Sequence, residues 1–168
     1  APQGVRVVVV DNASTDDTLA VVHDWAAGTR ARDLPDTMPF APTPVAKPVA
    51  LHRGGPDLPP ARVCPSDRSD RSGRTVTLIR SGVNGGFAGG VNLGLAHLAR
   101  DPGIGHFWVL NPDSIVPPGT VAALLAHLRT APPYALMGGR VLYLNRPDRI
   151  QIDGGRLNRF TGVSGNIN

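Results

Sequence analysis

Four consecutive valines near the start of the chain run directly into an acidic, hydroxyl-rich turn, within the segment 7–18. An unbroken run of β-branched residues favours a strand that is covered on both faces, as in a parallel sheet. Asp11 then lies at the carboxyl end of that strand, which in open α/β sheets faces the ligand crevice. The pattern therefore predicts a ligand site at this sheet edge. A capped helix start with Asp11 in an ordinary turn is the alternative interpretation.

Apolar periodicity predicts that strands and helices alternate along much of the chain. Strands are expected at 5–10, 75–80, 107–110 and 134–144, and helices at 17–26, 87–99 and from the Pro117–Thr120 segment onward, with Trp25 and Trp108 in the core. Such alternation is typical of a parallel α/β sheet flanked by helices. Ser14, Thr15 or Asp16 is expected to cap the first helix.

The segment 28–73 contains most of the prolines and differs in composition from its surroundings. Dense proline prevents regular helix and removes the N–H donors that a sheet needs. We therefore expect residues 28–73 to form a proline-rich insertion or flexible loop, not a core element. With 168 residues the chain is long enough for one core, so residues 1–168 are expected to form one partial domain around this insertion.

Composition argues against several classes of function. The net charge is +4, but the arginines are dispersed and aromatic residues make up only 5%, so no nucleic-acid surface is expected. The five histidines and the single Cys64 share no metal-ligand spacing, which argues against a zinc site. No apolar run is long enough for a membrane span, and neither a membrane segment nor a secretory signal is expected, so a cytoplasmic location is expected.

Two predicted strands end in carboxylate turns, at Asp11 and Asp113, and a glycine-rich turn over 81–94 leads from a strand into a helix. Glycines allow close backbone approach, and a helix N-terminus favours anions. The spacing fits neither the dinucleotide fingerprint nor a Walker loop. Together these features suit a nucleoside diphosphate, with one acid for the base or ribose and another for a divalent cation.

Four stretches carry a resemblance to a known family. They are Asp11-Asn12-Ala13-Ser14-Thr15-Asp16, the segment from Asn84-Gly85-Gly86-Phe87 to Asn92-Leu93-Gly94, Leu110-Asn111-Pro112-Asp113-Ser114, and the segment from Asp148 to Asn158. In this order they resemble the inverting family 2 glycosyltransferases, particularly the rhamnosyltransferase-like branch. The resemblance implies a GT-A type fold, a mostly parallel sheet flanked by helices. It also implies an enzyme that transfers a sugar, with rhamnose expected from the branch, from a nucleotide-diphosphate sugar.

The resemblance also assigns roles to residues. Asp11 is expected to contact the base, and Asn84, Gly86, Phe87, Gly89 and Asn92 to form the donor pocket. Asn111 and Asp113 occupy the ends of the family's metal motif, so Asp113 is the expected carboxylate ligand of Mg²⁺ or Mn²⁺. The acceptor is expected to be a glycan or lipid-linked molecule of cell-wall or polysaccharide synthesis. The enzyme is expected to act in the cytoplasm, including at the inner face of the membrane.

Compared with the family, the chain is expected to be an internal fragment that lacks the first strand and the acceptor-binding C-terminal half. The general base is then expected beyond Asn168. Two alternatives remain open. One is a non-catalytic remnant that folds poorly or only binds nucleotide. The other is a sugar-nucleotide pyrophosphorylase, which would need a glycine-rich, Lys/Arg-bearing N-terminal loop.

Overall fold

A computed structural model describes residues 5–31, 38–41, 44–55, 75–133 and 136–167. The chain divides into two compact units. One consists of residues 1–32 and 44–115, and the other of residues 33–43 and 116–168. Among the described residues, no helix is long and apolar enough to cross a membrane.

The first unit is built on a three-stranded parallel sheet. Its strands are β1 (Val7–Asp11), β2 (Ala50–Gly54) and β3 (Thr75–Arg80), in the spatial order β1-β3-β2. Leu78 of the central strand pairs with Val9 on one side and Arg53 on the other. The register places the carboxyl ends of all three strands at one edge of the sheet. The predicted α/β fold, a parallel sheet with helices as in GT-A type proteins, is confirmed.

The described residues of this unit form two helices, α1 (Thr18–Ala27) between β1 and β2 and α2 (Gly86–Leu98) after β3. Helix α1 ends at Gly28, whose left-handed backbone lets its N–H reach the carbonyl oxygens of Asp24 and Trp25. At its other end, Asp17 is the N-cap by backbone position, while the Asp16 carboxylate accepts the Thr18 N–H at 3.0 Å. The predicted cap at Ser14, Thr15 or Asp16 is therefore wrong by at least one residue, although Asp16 still accepts a free N–H of the first turn.

A small apolar core lies between helix α1 and the sheet. Its buried members are Ala26, Val49 and Val76, with the partly buried Trp25 and Leu51 packed against them. Helix α2 lies against β1, where a Cβ added to Gly94 would come within 3.2 Å of Val10 Cγ2. The absence of a side chain at Gly94 therefore allows α2 to approach the strand closely.

The C-terminal part of α2 is joined to the backbone that follows β2. His97 is fully buried, and its Nδ1 lies 3.3 Å from the carbonyl oxygen of Gly55. Arg100 donates to the same oxygen at 3.3 Å. This carbonyl, which no strand pairing satisfies, is thus a fixed contact between the helix and the edge of the sheet.

Strand β2 differs from the expectation for residues 28–73, since Ala50–Gly54 belongs to the sheet and not to a loop. The physical reason is local. Pro48 and Pro56 flank a window without proline, and every residue of that window keeps its N–H donor. The rest of the insertion stays a prediction, and its residues 32–37, 42–43 and 56–73 lie outside the described ones.

The prediction of a strand at 107–110 is wrong. Phe107, Trp108, Val109 and Leu110 have no strand pairing and are 44%, 50%, 47% and 48% exposed, so Trp108 is not a core residue. A strand needs a neighbour that supplies backbone hydrogen bonds. Within the described part of the chain, β1 pairs only with β3, and no strand forms backbone hydrogen bonds with residues 107–110.

The described residues of the second unit form one helix and two antiparallel strand pairs. Helix α3 (Thr120–Thr130) is followed by β4 (Val141–Tyr143), β5 (Arg146–Ile152), β6 (Gly154–Leu157) and β7 (Ser164–Ile167), which pair as β4-β5 and β6-β7. The strand predicted at 134–144 is reduced to β4. Gly138 and Gly139 precede it without strand pairing, while residues 134–135 are outside the described ones.

Candidate active site

The acidic turn at the end of β1 starts with a buried carboxylate. Asp11 is 4% exposed, and its Oδ1 accepts the Ser14 N–H at 3.2 Å. Its Oδ2 is enclosed and has no hydrogen-bond partner among the described residues, while Arg80 Nε lies 3.9 Å away. A buried carboxylate oxygen without a donor is an available acceptor. Because protein covers this oxygen, contact with a base would require the turn to move.

The residues after Asp11 form a tight turn. Ala13 has a φ of +62°, in the left-handed region that side chains other than glycine rarely adopt. The turn is held by the hydrogen bond from the Ser14 N–H to Asp11 and by long-range hydrogen bonds of the Asn12 side chain.

The glycine-rich turn is bound directly to the end of β1. Asn12 Nδ2 donates to Asn84 Oδ1 at 3.0 Å and to the carbonyl oxygen of Gly86 at 2.9 Å, and Asn12 Oδ1 accepts the Gly85 N–H at 3.1 Å. Asn84 Oδ1 also accepts the Gly86 N–H at 3.0 Å. The first predicted motif and the second therefore meet through side-chain amides, although more than 70 residues separate them in the chain.

The start of α2 combines an open backbone with an exposed aromatic ring. Gly86 has a φ of +68°, which favours glycine at the first helical position. Phe87 is 70% exposed, and a Cβ added to Gly89 would meet no atom within 4 Å. Asn92, on the second turn of α2, is exposed. The predicted donor-pocket residues on this helix therefore lie on an accessible surface.

The third motif forms an exposed turn in the same unit. The Ser114 N–H donates to the carbonyl oxygen of Asn111 at 3.1 Å, and both Asn111 and Asp113 are exposed. Within the described residues, no hydrogen bond or ion pair joins either side chain to Asp11 or Asn84. The structure thus joins the first two motifs by hydrogen bonds, and among the described residues it shows no such bond from the side chains of Asn111 and Asp113 to them.

A metal ion would have few protein ligands here. Among the described residues no cluster of three or more His, Cys, Asp or Glu side chains is present. The Asp113 carboxylate and the Asn111 amide oxygen, two residues apart on an exposed turn, are the hard oxygen ligands that Mg²⁺ prefers. Since Mg²⁺ usually keeps several waters and takes phosphate oxygens, such a sparse set fits a cation carried on a diphosphate.

In the second unit, Asp153 is bound by an arginine. Arg140 Nε and one of its terminal nitrogens donate to the two Asp153 oxygens at 2.8 and 2.7 Å. These hydrogen bonds lower the pKa of the Asp153 carboxyl below its usual value. A carboxylate with a lowered pKa is a weaker base, and Arg140 occupies both of its oxygens.

Comparison with family models decides the assignment. The model described as glycosyl transferase family 2 matches residues 66–162, more than half of the chain. The chain belongs to glycosyl transferase family 2. It is therefore a glycosyltransferase, an enzyme class that uses a nucleotide-sugar donor and an acceptor and generally depends on a divalent cation. Neither the curated proteins nor the solved structures contain a significant match to it.

The matched range of this glycosyltransferase includes β3, the glycine-rich turn and the Asn111–Asp113 turn, but not β1 with Asp11. The hydrogen bonds of Asn12 connect the unmatched strand to the matched region. The match favours the transferase over the pyrophosphorylase alternative.

Sequence reasoning missed the role of Asn12. Asn12 lies between the carboxylate of Asp11 and a hydroxyl-rich turn, and the local composition gives no sign that its side chain makes long-range contacts. The available signal was chemical: a side chain that both donates and accepts, placed after a strand end, can bind the backbone of a neighbouring turn.

Proposed function

We propose that this glycosyltransferase transfers a sugar from a nucleoside-diphosphate donor to a hydroxyl of a glycan or lipid-linked acceptor with inversion, and that Asp113 binds the divalent cation. The single observation that carries the donor site is the contact between the β1 turn and the glycine-rich turn through Asn12 and Asn84. Rhamnose is the sugar we propose for the donor, on the resemblance to the rhamnosyltransferase-like branch.

The donor diphosphate is proposed to lie at the start of α2. The first N–H groups of a helix have no intrahelical acceptor, and the helix dipole favours anions there. Asn12 and Asn84 already accept the N–H groups of Gly85 and Gly86, so those of Phe87 and Ala88 remain for phosphate oxygens. Phe87, with its ring exposed beside them, supplies an apolar face for the base or sugar.

Transfer would proceed as a single displacement. The acceptor oxygen bonds to the anomeric carbon, the bond from that carbon to the diphosphate oxygen breaks, and the electron pair leaves with the nucleoside diphosphate. The acceptor proton passes to a carboxylate base, a role that the Arg140 pairing disfavours for Asp153. A divalent cation held by Asp113 with Asn111 would neutralise charge developing on the diphosphate.

Calorimetric titration tests the donor site and the metal together. UDP, dTDP and GDP are titrated separately into the protein with Mg²⁺ or Mn²⁺, and one is expected to bind saturably. Asp113→Asn removes the anionic ligand, so metal-dependent affinity should fall at least about tenfold, the equivalent of 1.4 kcal/mol. The control is Asp24→Asn, the same change at an exposed aspartate of α1 outside the four motifs.

Equal metal-dependent affinity in Asp113→Asn and the unaltered protein would remove the metal assignment. Failure of all three nucleotides to bind would remove the proposed donor site. Binding without transfer of a radiolabelled sugar to a panel of glycan and polyprenyl-phosphate acceptors would support the nucleotide-binding alternative.

A further inference from the structure

We propose that Asn12 is a positioning residue, which fixes the glycine-rich turn so that the N–H groups at the start of α2 face the donor diphosphate. The inference rests on the proposed function and extends it to a residue outside the range that the family model matches. Asn12 itself touches no reacting atom in this account.

The hydrogen bonds of Asn12 use its whole side-chain amide. Nδ2 has two N–H groups, and one is directed to Asn84 Oδ1 and the other to the Gly86 carbonyl. Oδ1 faces the Gly85 N–H. The partners also fix the orientation of the amide, because a flipped group would place oxygen against the Gly86 carbonyl and N–H against the Gly85 N–H.

Asn12 also lies beside the second turn of α2, at Gly90. A Cβ added to Gly90 would lie 3.6 Å from Asn12 Cγ, so the side chain fills the space beside that glycine. Asn12 is therefore in contact with three consecutive residues of the turn and with the helix that follows. Loss of its N–H groups would release the turn from the end of β1 while the sheet register stays intact.

Isosteric variants separate positioning from charge. Asn12→Asp keeps an acceptor for the Gly85 N–H but places oxygen against Asn84 Oδ1 and the Gly86 carbonyl. Asn84→Asp adds the same charge at the hydrogen-bond partner of Asn12. It keeps the oxygen that accepts from both Asn12 Nδ2 and the Gly86 N–H. Because the charge is matched, only the hydrogen bonds distinguish the two variants.

The experiment measures the affinity of the unaltered protein and its variants for whichever of UDP, dTDP and GDP binds with Mg²⁺. Asn12→Asp should bind at least about tenfold more weakly than Asn84→Asp, because both variants add a charge and only Asn12→Asp also loses two hydrogen bonds. Asn84→Ala removes the acceptor from the opposite side without adding a charge, and it should also weaken binding. Asn145→Asp, on an exposed turn of the other unit, is the charge control.

Amide hydrogen exchange supplies a readout that does not need ligand. Asn12→Asp and Asn84→Ala should speed exchange at Gly85 and Gly86 and leave β3 unchanged, whereas a general loss of stability would speed exchange in β3 as well. Asn12→Asp binding that stays within about twofold of the unaltered protein would overturn the inference and leave the proposed function standing.

Two further results would also overturn the inference: equal weakening in Asn84→Asp and Asn12→Asp, or unchanged binding in Asn84→Ala, which decides the question if Asn12→Asp does not fold. Absence of nucleotide binding in the unaltered protein would instead refute the proposed function, and the inference with it.

Discussion

At the scale of single residues, the paired contacts of Arg140 and Asp153 determine how one carboxylate titrates. Hydrogen bonds from Arg140 lower the pKa of Asp153, and the positive charge acts in the same direction. The folded-state pKa is therefore below the unfolded value. The stability that the pair contributes is present above the ordinary carboxyl range and is lost as the pH falls through the lowered pKa.

We expect Arg140→Gln to raise the pKa of Asp153 toward its ordinary value, because both the bidentate hydrogen bonds and the charge are removed. Carboxyl-carbon chemical shifts followed against pH by NMR measure this directly. Asp16 is an internal control, since its lowered pKa comes from hydrogen bonds with Thr18. A titration of Asp153 that is the same in both proteins would contradict the pairing.

At the scale of elements, the glycine that ends β2, Gly54, and the glycine that follows it, Gly55, differ in the space around them. A Cβ on Gly54 would lie 2.4 Å from Thr77 Cγ2 and 2.8 Å from Ile79 Cγ1, in the most buried part of the sheet. A Cβ on Gly55 would meet no atom within 4 Å. Adjacent positions in the chain therefore offer a matched pair of substitutions.

Gly54→Ala should lower the free energy of unfolding by about 1–3 kcal/mol, as is usual when a packed core must accommodate an extra group. Gly55→Ala should stay within about 0.5 kcal/mol of the unaltered protein. Urea unfolding followed by circular dichroism measures both. A Gly54→Ala protein as stable as Gly55→Ala would mean that β2 does not pack on β3 in this register.

The elements that sequence alone predicted well are those whose signal is local. β1, α1, β3 and α2 begin and end within about two residues of their predicted bounds, because apolar periodicity and glycine mark them directly. The 107–110 strand failed because a strand also depends on a neighbouring backbone. β2 was missed because the surrounding prolines dominated the composition of its segment.

The candidate site divides in the same way. The motifs at Asp11, Asn84 and Asp113 are visible in the sequence because each is a short run of polar or glycine residues that follows an apolar stretch. The contacts of Asn12 across more than 70 residues depend on which strands become neighbours. No local sequence pattern predicts which residues so far apart in the chain come into contact.

At the scale of the whole molecule, the segment 107–110 exposes four large apolar side chains in succession. Contiguous exposed apolar surface promotes association. Trp108→Lys should therefore reduce concentration-dependent self-association, measured by sedimentation velocity. His106→Lys, at an exposed neighbouring position, adds a lysine without removing apolar surface. Equal effects of the two variants would assign the change to charge.

The order of strands in the sheet has a consequence for synthesis. β1 and β2 do not pair with each other, and both pair with β3, which the ribosome makes last. At about 5–20 residues per second, β1 waits roughly 3 to 14 seconds for its partner. During that interval the valines of β1 have no partner strand. The nascent chain is therefore most prone to associate with other chains just before its central strand emerges.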